Sequence, residues 1–152
     1  MARTHALALI IATSLAVQLP AFAGEQTDAT DVLGSWTFQT DPYRQGTCSM
    51  SGLMRLTPDP EDGLYACELT AVEECVDIGR SVVVQSCTAR RFGNQVSVRS
   101  IIEQMIETDF EGINYVPDNF ALTIQSPERM YGALVSAITA PVEFHRSEEG
   151  VS

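Results

Sequence analysis

Lysine is absent from this chain: all nine basic residues are arginine, which removes Schiff-base and lysine general-base chemistry. Histidine is nearly absent, with only His5 and His145, and His5 falls in a segment read below as a removable leader. A hydrolytic triad needs a nucleophile, a base and an orienting acid, and His145 sits alone in an alternating run with no such neighbours. No G-x-S-x-G, H-E-x-x-H or glycine-rich phosphate loop occurs, so no enzymatic activity, cofactor or resident metal is expected. Positive charge is scarce, with nine Arg against twenty Asp and Glu and a formal charge of −11. Such an excess of acid disfavours phosphate backbones and anionic membranes, so no nucleic-acid partner is expected.

Long apolar runs are scarce too. The one extended stretch, Ala6 to Leu19, is shorter than the roughly 20 residues of a membrane helix. With Arg3 before it and Ala21-Phe22-Ala23 after it, it reads as a secretory signal peptide over 1–23. No membrane span is then expected in the mature chain of about 129 residues, one domain's worth. Removing Arg3 takes the formal charge from −11 to −12, because the leader holds no acid. No cysteine follows the cleavage site directly, so the expected product is periplasmic or secreted rather than lipid-anchored. Residues 24–32 and 148–152 are polar and without period, and are expected to be a flexible arm and tail around one domain over 33–147.

The four cysteines, Cys48, Cys67, Cys75 and Cys87, are separated by nineteen, eight and twelve residues, with no C-x-x-C pair. Cysteine metal sites use short paired spacings, so disulfides are the preferred reading for an exported chain.

From Leu33 onward, alternating or β-branched runs are broken every eight to twelve residues by turn chemistry, the signature of an all-β sandwich or barrel. Strands are expected near 34–40, 48–57, 64–71, 81–91, 95–106, 112–116, 119–125, 129–138 and 141–146. Asp59-Pro60-Glu61-Asp62-Gly63 and Gly93-Asn94 are the clearest turns. The first also has clustered hard oxygens, but not the spacing of a calcium loop. Ile101 to Glu107 has apolar residues at i, i+1, i+4 and i+5, which suits a short helix. It also continues an alternating strand without punctuation, and both readings stay open. An antiparallel up-and-down barrel of about eight strands, with two disulfides, removes every exposed edge. Four cysteines permit three pairings. A hairpin turn within 58–63 places Cys48 near Cys75, and a turn near Asp77 places Cys67 opposite Cys87.

Leu33-Gly34-Ser35-Trp36 opens the first strand. Gly34 two residues before Trp36 resembles the G-x-W signature of lipocalins and related calycin barrels. In that family the tryptophan packs at the closed end and an arginine from the last strand lies across it. The resemblance implies that role for Arg146, on the face of Val142 and Phe144. It covers these two short segments at the chain's ends, and the family's T-D-Y segment has no counterpart here.

In an up-and-down barrel successive loops alternate between the two ends. Loops 41–47, 72–80, 107–111 and 126–128 are then expected together, forming an open mouth. They carry Asp41, Glu73, Glu74, Asp77, Glu107, Asp109, Glu111 and Glu128, against Asp59, Glu61 and Asp62 at the other end. An acidic mouth attracts cations or basic partners. Inward small residues, among them Gly52, Ser86, Ser100, Gly132 and Ser136, either leave a cavity or fit the barrel's taper. The expected function is non-catalytic binding of a small apolar or cationic ligand at this mouth. The alternative is an exported protein-interaction module, such as a protease inhibitor acting through the arm. Small exported bacterial metalloprotease inhibitors are similar in using disulfide-bearing eight-stranded barrels with such an arm.

Overall fold

The computed structural model describes residues 32–110, 112 and 114–147. The expected leader, arm residues 24–31, Glu111 and the tail 148–152 lie outside the described residues. Eight antiparallel strands close into a barrel in chain order: β1 (Gly34–Thr40), β2 (Cys48–Pro58), β3 (Leu64–Cys75), β4 (Gly79–Phe92), β5 (Gln95–Thr108), β6 (Asn119–Ser126), β7 (Arg129–Val135) and β8 (Thr139–Arg146). The first strand pairs with the last, with Trp36 opposite Arg146 and Phe38 opposite Phe144, so no sheet edge is left between them. No helix among the described residues is long and apolar enough to cross a membrane.

Both disulfides form as the hairpin registers require. Cys48 lies opposite Cys75 across β2–β3 and Cys67 opposite Cys87 across β3–β4, and the bonded pairs are Cys48–Cys75 and Cys67–Cys87. Both suit an oxidising compartment.

The described residues of 112–116 are in no strand, which corrects the ninth expected one. The described residues between Asp109 and Asp118 are irregular and β6 starts only at Asn119. That single surplus strand reversed the expected end of every later loop. The 126–128 turn, with Glu128, lies at the Trp36 end, where Arg146 Nε donates to the Pro127 carbonyl at 2.8 Å. The mouth is therefore made by 41–47, 76–78, 109–118 and 136–138. The β3–β4 connection also shrinks from 72–80 to three residues, because β3 runs on to Cys75 and β4 begins at Gly79.

Residues 101–107 are strand, and two β-bulges explain their helix-like spacing. The register with β4 slips between Val82 and Val83 and again between Val84 and Gln85. Each bulge inserts one extra residue, so Ile102, Met105 and Thr108 fall opposite the buried Gln85, Val83 and Ser81. The inward spacing here is three, not two.

The interior is filled by side chains. Trp36 is fully buried, with the Arg146 guanidinium 4.4 Å from its ring centroid, a cation–π contact of roughly 0.5–2 kcal/mol. Its indole N–H donates to the Val32 carbonyl at 2.9 Å, and Val32 is itself buried. The ordered domain thus starts within the expected arm. Above this layer Phe38, Phe120 and Phe144 meet with ring centroids 5.0–5.3 Å apart. Gly52 makes room for them: a Cβ there would stand 2.1 Å from the Thr70 carbonyl oxygen and 2.6 Å from the Phe38 ring. Gly52 thus fits the taper and leaves no hollow. Ser86 points outward, donating to Glu103, while Val83, Gln85 and Cys87 of the same strand are buried.

Candidate functional site

Two spaces open at this end. A wide, shallow one of about 420 Å3 lies outside the Cys48–Cys75 disulfide, against Glu74, Arg80 and Asp109. The more enclosed one, of about 70 Å3, is lined by Met50, Glu73, Phe110, Tyr115, Asp118 and, from the β1–β2 loop, Arg44. It is small beside the several hundred Å3 of a drug-sized pocket.

Glu73 reaches this cavity because β3 continues past its expected end. Leu69, Ala71, Glu73 and Cys75 alternate inward and all are buried. Glu73 is therefore a core-facing strand residue, not the loop acid expected. Its Oε1 accepts from the Tyr43 hydroxyl at 2.8 Å. Tyr43 is held by the 41–47 loop, where its backbone bridges to Cys48.

Asp118 is the centre of a second group. Its amide N–H donates to Gln85 Oε1 at 2.9 Å, and Gln85 Nε2 donates back to Asp118 Oδ2 at 2.7 Å. The Tyr115 hydroxyl donates to the same Oδ2 at 2.8 Å, and the Ser100 hydroxyl to the Asp118 carbonyl at 2.6 Å. Oδ1 is buried with no hydrogen-bond partner. A buried carboxylate oxygen left bare costs free energy, and the protonation equilibrium reflects it. Burial pushes the Asp118 carboxyl up to about 6, against the opposing hydrogen bonds of Tyr115 and Gln85 and a smaller contribution from the nearby Ser136 hydroxyl, which itself donates to the Val116 carbonyl at 3.0 Å. The charge of Glu73 adds to the upward shift. Burial raises the Tyr43 and Tyr115 phenols too, helped by their carboxylate neighbours Glu73 and Asp118, so both remain neutral donors.

The other acids expected at the mouth are arranged differently. Glu74 and Glu107 both pair with Arg80, and Asp109 Oδ2 accepts from the Arg80 amide at 2.9 Å. Arg80 thus knits three of them together, and Glu107 lies in β5 rather than in a loop. Asp41 and Asp77 are exposed. Cys48, Glu73 and Cys75 lie close enough to be considered as metal ligands, but both sulfurs are joined in the disulfide. A sulfur in that bond is not the thiolate that binds metal.

Asp118, Tyr115, Tyr43, Gln85 and Arg44 were not among the expected site residues. Pro117-Asp118-Asn119 carries turn chemistry, which hides an acid that turns inward. A polar Gln85 on the face of Val83 and Cys87 was the available signal, since a buried amide requires partners.

No protein-family model and no curated protein matches the chain. Among solved structures, it is similar to a designed protein described as "De novo design of a fluorescence-activating beta barrel". The TM-score is 0.50 and the identity 17%, over 78% of this chain and 96% of that one. At that identity the likeness speaks to architecture alone, and the architecture is a small closed β-barrel.

Proposed function

We propose that the chain is a non-catalytic, exported binding protein of lipocalin-like build whose mouth cavity takes a small cationic ligand. The observation that carries this reading is Asp118, fully buried and lining the cavity, with one carboxylate oxygen unpartnered. A ligand N–H donor supplies what Oδ1 lacks, and Glu73 adds a second acid on the same cavity. Met50 and Phe110 offer apolar and aromatic surface to the carbon part of such a ligand. The packing of Arg146 on Trp36 supports the lipocalin-like part of the reading.

The test is thermal shift and calorimetric titration with small primary amines, on protein made by export with both disulfides intact. Amines at a hundred times their Kd should stabilise the fold by about 2.7 kcal/mol. The effect should be lost in both Asp118→Asn and Glu73→Gln. If amines leave the wild type unmoved at tens of millimolar, or bind both variants as well as wild type, the reading is wrong.

A further inference from the structure

Arg44 lines the same cavity as Glu73 and Asp118, so the site holds a cation as well as two acids. Its neighbours have not consumed it. Among the described residues the salt bridges involve Arg80, Arg90, Arg129 and His145, and Arg44 contributes only its carbonyl to hydrogen bonding, accepting from Thr47. An arginine beside two buried carboxyls, at the mouth of a strongly acidic protein, would ordinarily close onto one of them. Here it stands apart from both.

Its backbone is in an unusual conformation. Arg44 and Gln45 have φ of 49° and 62°, followed by Gly46 at 86°. Two consecutive side-chain-bearing residues in the left-handed region cost roughly 1–2 kcal/mol each. The turn is held by the Gly46 amide on the Tyr43 carbonyl at 3.1 Å and the Thr47 hydroxyl on the Arg44 carbonyl at 2.9 Å. The Cys48–Cys75 disulfide anchors its end to β3, the strand that carries Glu73.

We propose that the ligand is a small zwitterion, its ammonium group on Asp118 and Glu73 and its anionic group on the Arg44 guanidinium. This rests on the cation-binding reading and adds the second charge. An arginine fork suits a carboxylate through two parallel N–H···O bonds. A water-sized group needs about 10–15 Å3 of such space, so about 70 Å3 holds on the order of five to seven non-hydrogen atoms. That is the size of glycine, β-alanine or 4-aminobutyrate. A bulky side chain exceeds that volume, so short unbranched amino acids are the class selected.

The experiment titrates the full exported protein with glycine, β-alanine and 4-aminobutyrate. Beside them go propylamine, which keeps only the ammonium, and butyrate, which keeps only the carboxylate. The best zwitterion should bind about tenfold or more tighter than propylamine, and butyrate should not bind. Arg44→Asn, a residue that tolerates the left-handed backbone, should bring the zwitterion down to the affinity of the amine, while the amine, relieved of a like charge on the same cavity, binds at least as well as to the wild type. Arg44→Lys should restore part of the difference. Equal binding of amine and zwitterion to the wild type overturns the proposal while the cation reading stands. So does an Arg44→Asn variant that weakens both ligands alike. If neither class binds the wild type, both readings fail together. The wild-type comparison decides the matter even if a variant folds poorly.

Discussion

Replacing Asp118 with asparagine should make the protein more stable at neutral pH, although it removes a buried carboxyl that accepts from both Gln85 and Tyr115. The carboxyl moves from an ordinary value of 3.8 to about 6 in the folded barrel. Each pKa unit is worth about 1.36 kcal/mol, so this group withholds about 3 kcal/mol from the folded state once it is ionised. The sign follows from the two protonation equilibria. Below about pH 4 both folded and unfolded chains hold the proton, and nothing is lost. Between about pH 4 and 6 the unfolded chain releases it first, so wild-type stability falls through that window and is flat above it. The charged groups facing Asp118 across the cavity are Glu73 and Arg44, with the neutral phenols of Tyr43 and Tyr115 beside them. An asparagine side chain keeps one oxygen to accept from Tyr115 and Gln85 and never ionises. Its amide group lacks an acceptor, which costs about 1–3 kcal/mol, leaving a net gain of up to about 2 kcal/mol at pH 7.5. Guanidinium unfolding at intervals from pH 4 to pH 8, followed by the emission of the single Trp36, reads this directly. The difference between the two profiles cancels the exposed acids that titrate in the same range. Parallel profiles, or an Asp118→Asn variant less stable than wild type at pH 7.5, would refute the reasoning.

Three further outcomes follow from the packing. Gly52→Ala should destabilise by about 3 kcal/mol or more, because the new Cβ meets the Thr70 carbonyl oxygen at 2.1 Å and strand backbone cannot yield as a side chain can; chemical unfolding measures it. Arg146→Gln removes the guanidinium from Trp36, and with it the bonds to the Leu33 and Pro127 carbonyls. A loss of roughly 1–3 kcal/mol with altered Trp36 emission is expected, and unchanged emission would count against the stacked geometry. The Cys67–Cys87 and Cys48–Cys75 bonds span 20 and 27 residues. Removing either as a paired Cys→Ser change should cost about 3 kcal/mol, read as the shift in denaturation midpoint.

Much of the fold is legible where strands are regular. The β2–β3 and β3–β4 ladders run without a slip over eleven and twelve pairs, so two turn positions suffice to set four cysteines in register. Legibility fails where pairing and composition part company. Asn114-Tyr115-Val116 has the residues of a strand, but β propensity describes fit to a pleated surface and says nothing of whether a partner is present. Beyond Val98, β5 has no ladder partner in β6, and residues 114–118, which precede β6, are irregular. One strand too many then inverts loop parity, which is why Glu128 was expected at the wrong end. In Ile101 to Glu107 the two bulges stretch the inward spacing, and a bulge leaves no residue signature as plain as a Gly-Asn turn.

The site was harder to read than the fold for a related reason. Its members come from five places in the chain: the 41–47 loop, β3, β4, β5 and the approach to β6. Only closure of the barrel brings Tyr43, Glu73, Gln85, Ser100 and Asp118 together. Glu73 looks like one more surface acid until β3 is extended by four residues, and Asp118 looks like a turn former. The acids that did look like a mouth, Glu74, Glu107 and Asp109, are gathered on Arg80 and act as rim structure. What distinguishes the inner pair is that both are buried on the cavity wall, and at Asp118 charge is expensive. A carboxyl kept at about 6 destabilises the empty barrel, whereas a bound cation would make the same burial favourable. An asparagine would serve the loop-anchoring bonds at least as well, so anchoring alone does not account for an acid at position 118. The cation site we propose gives that acid a use.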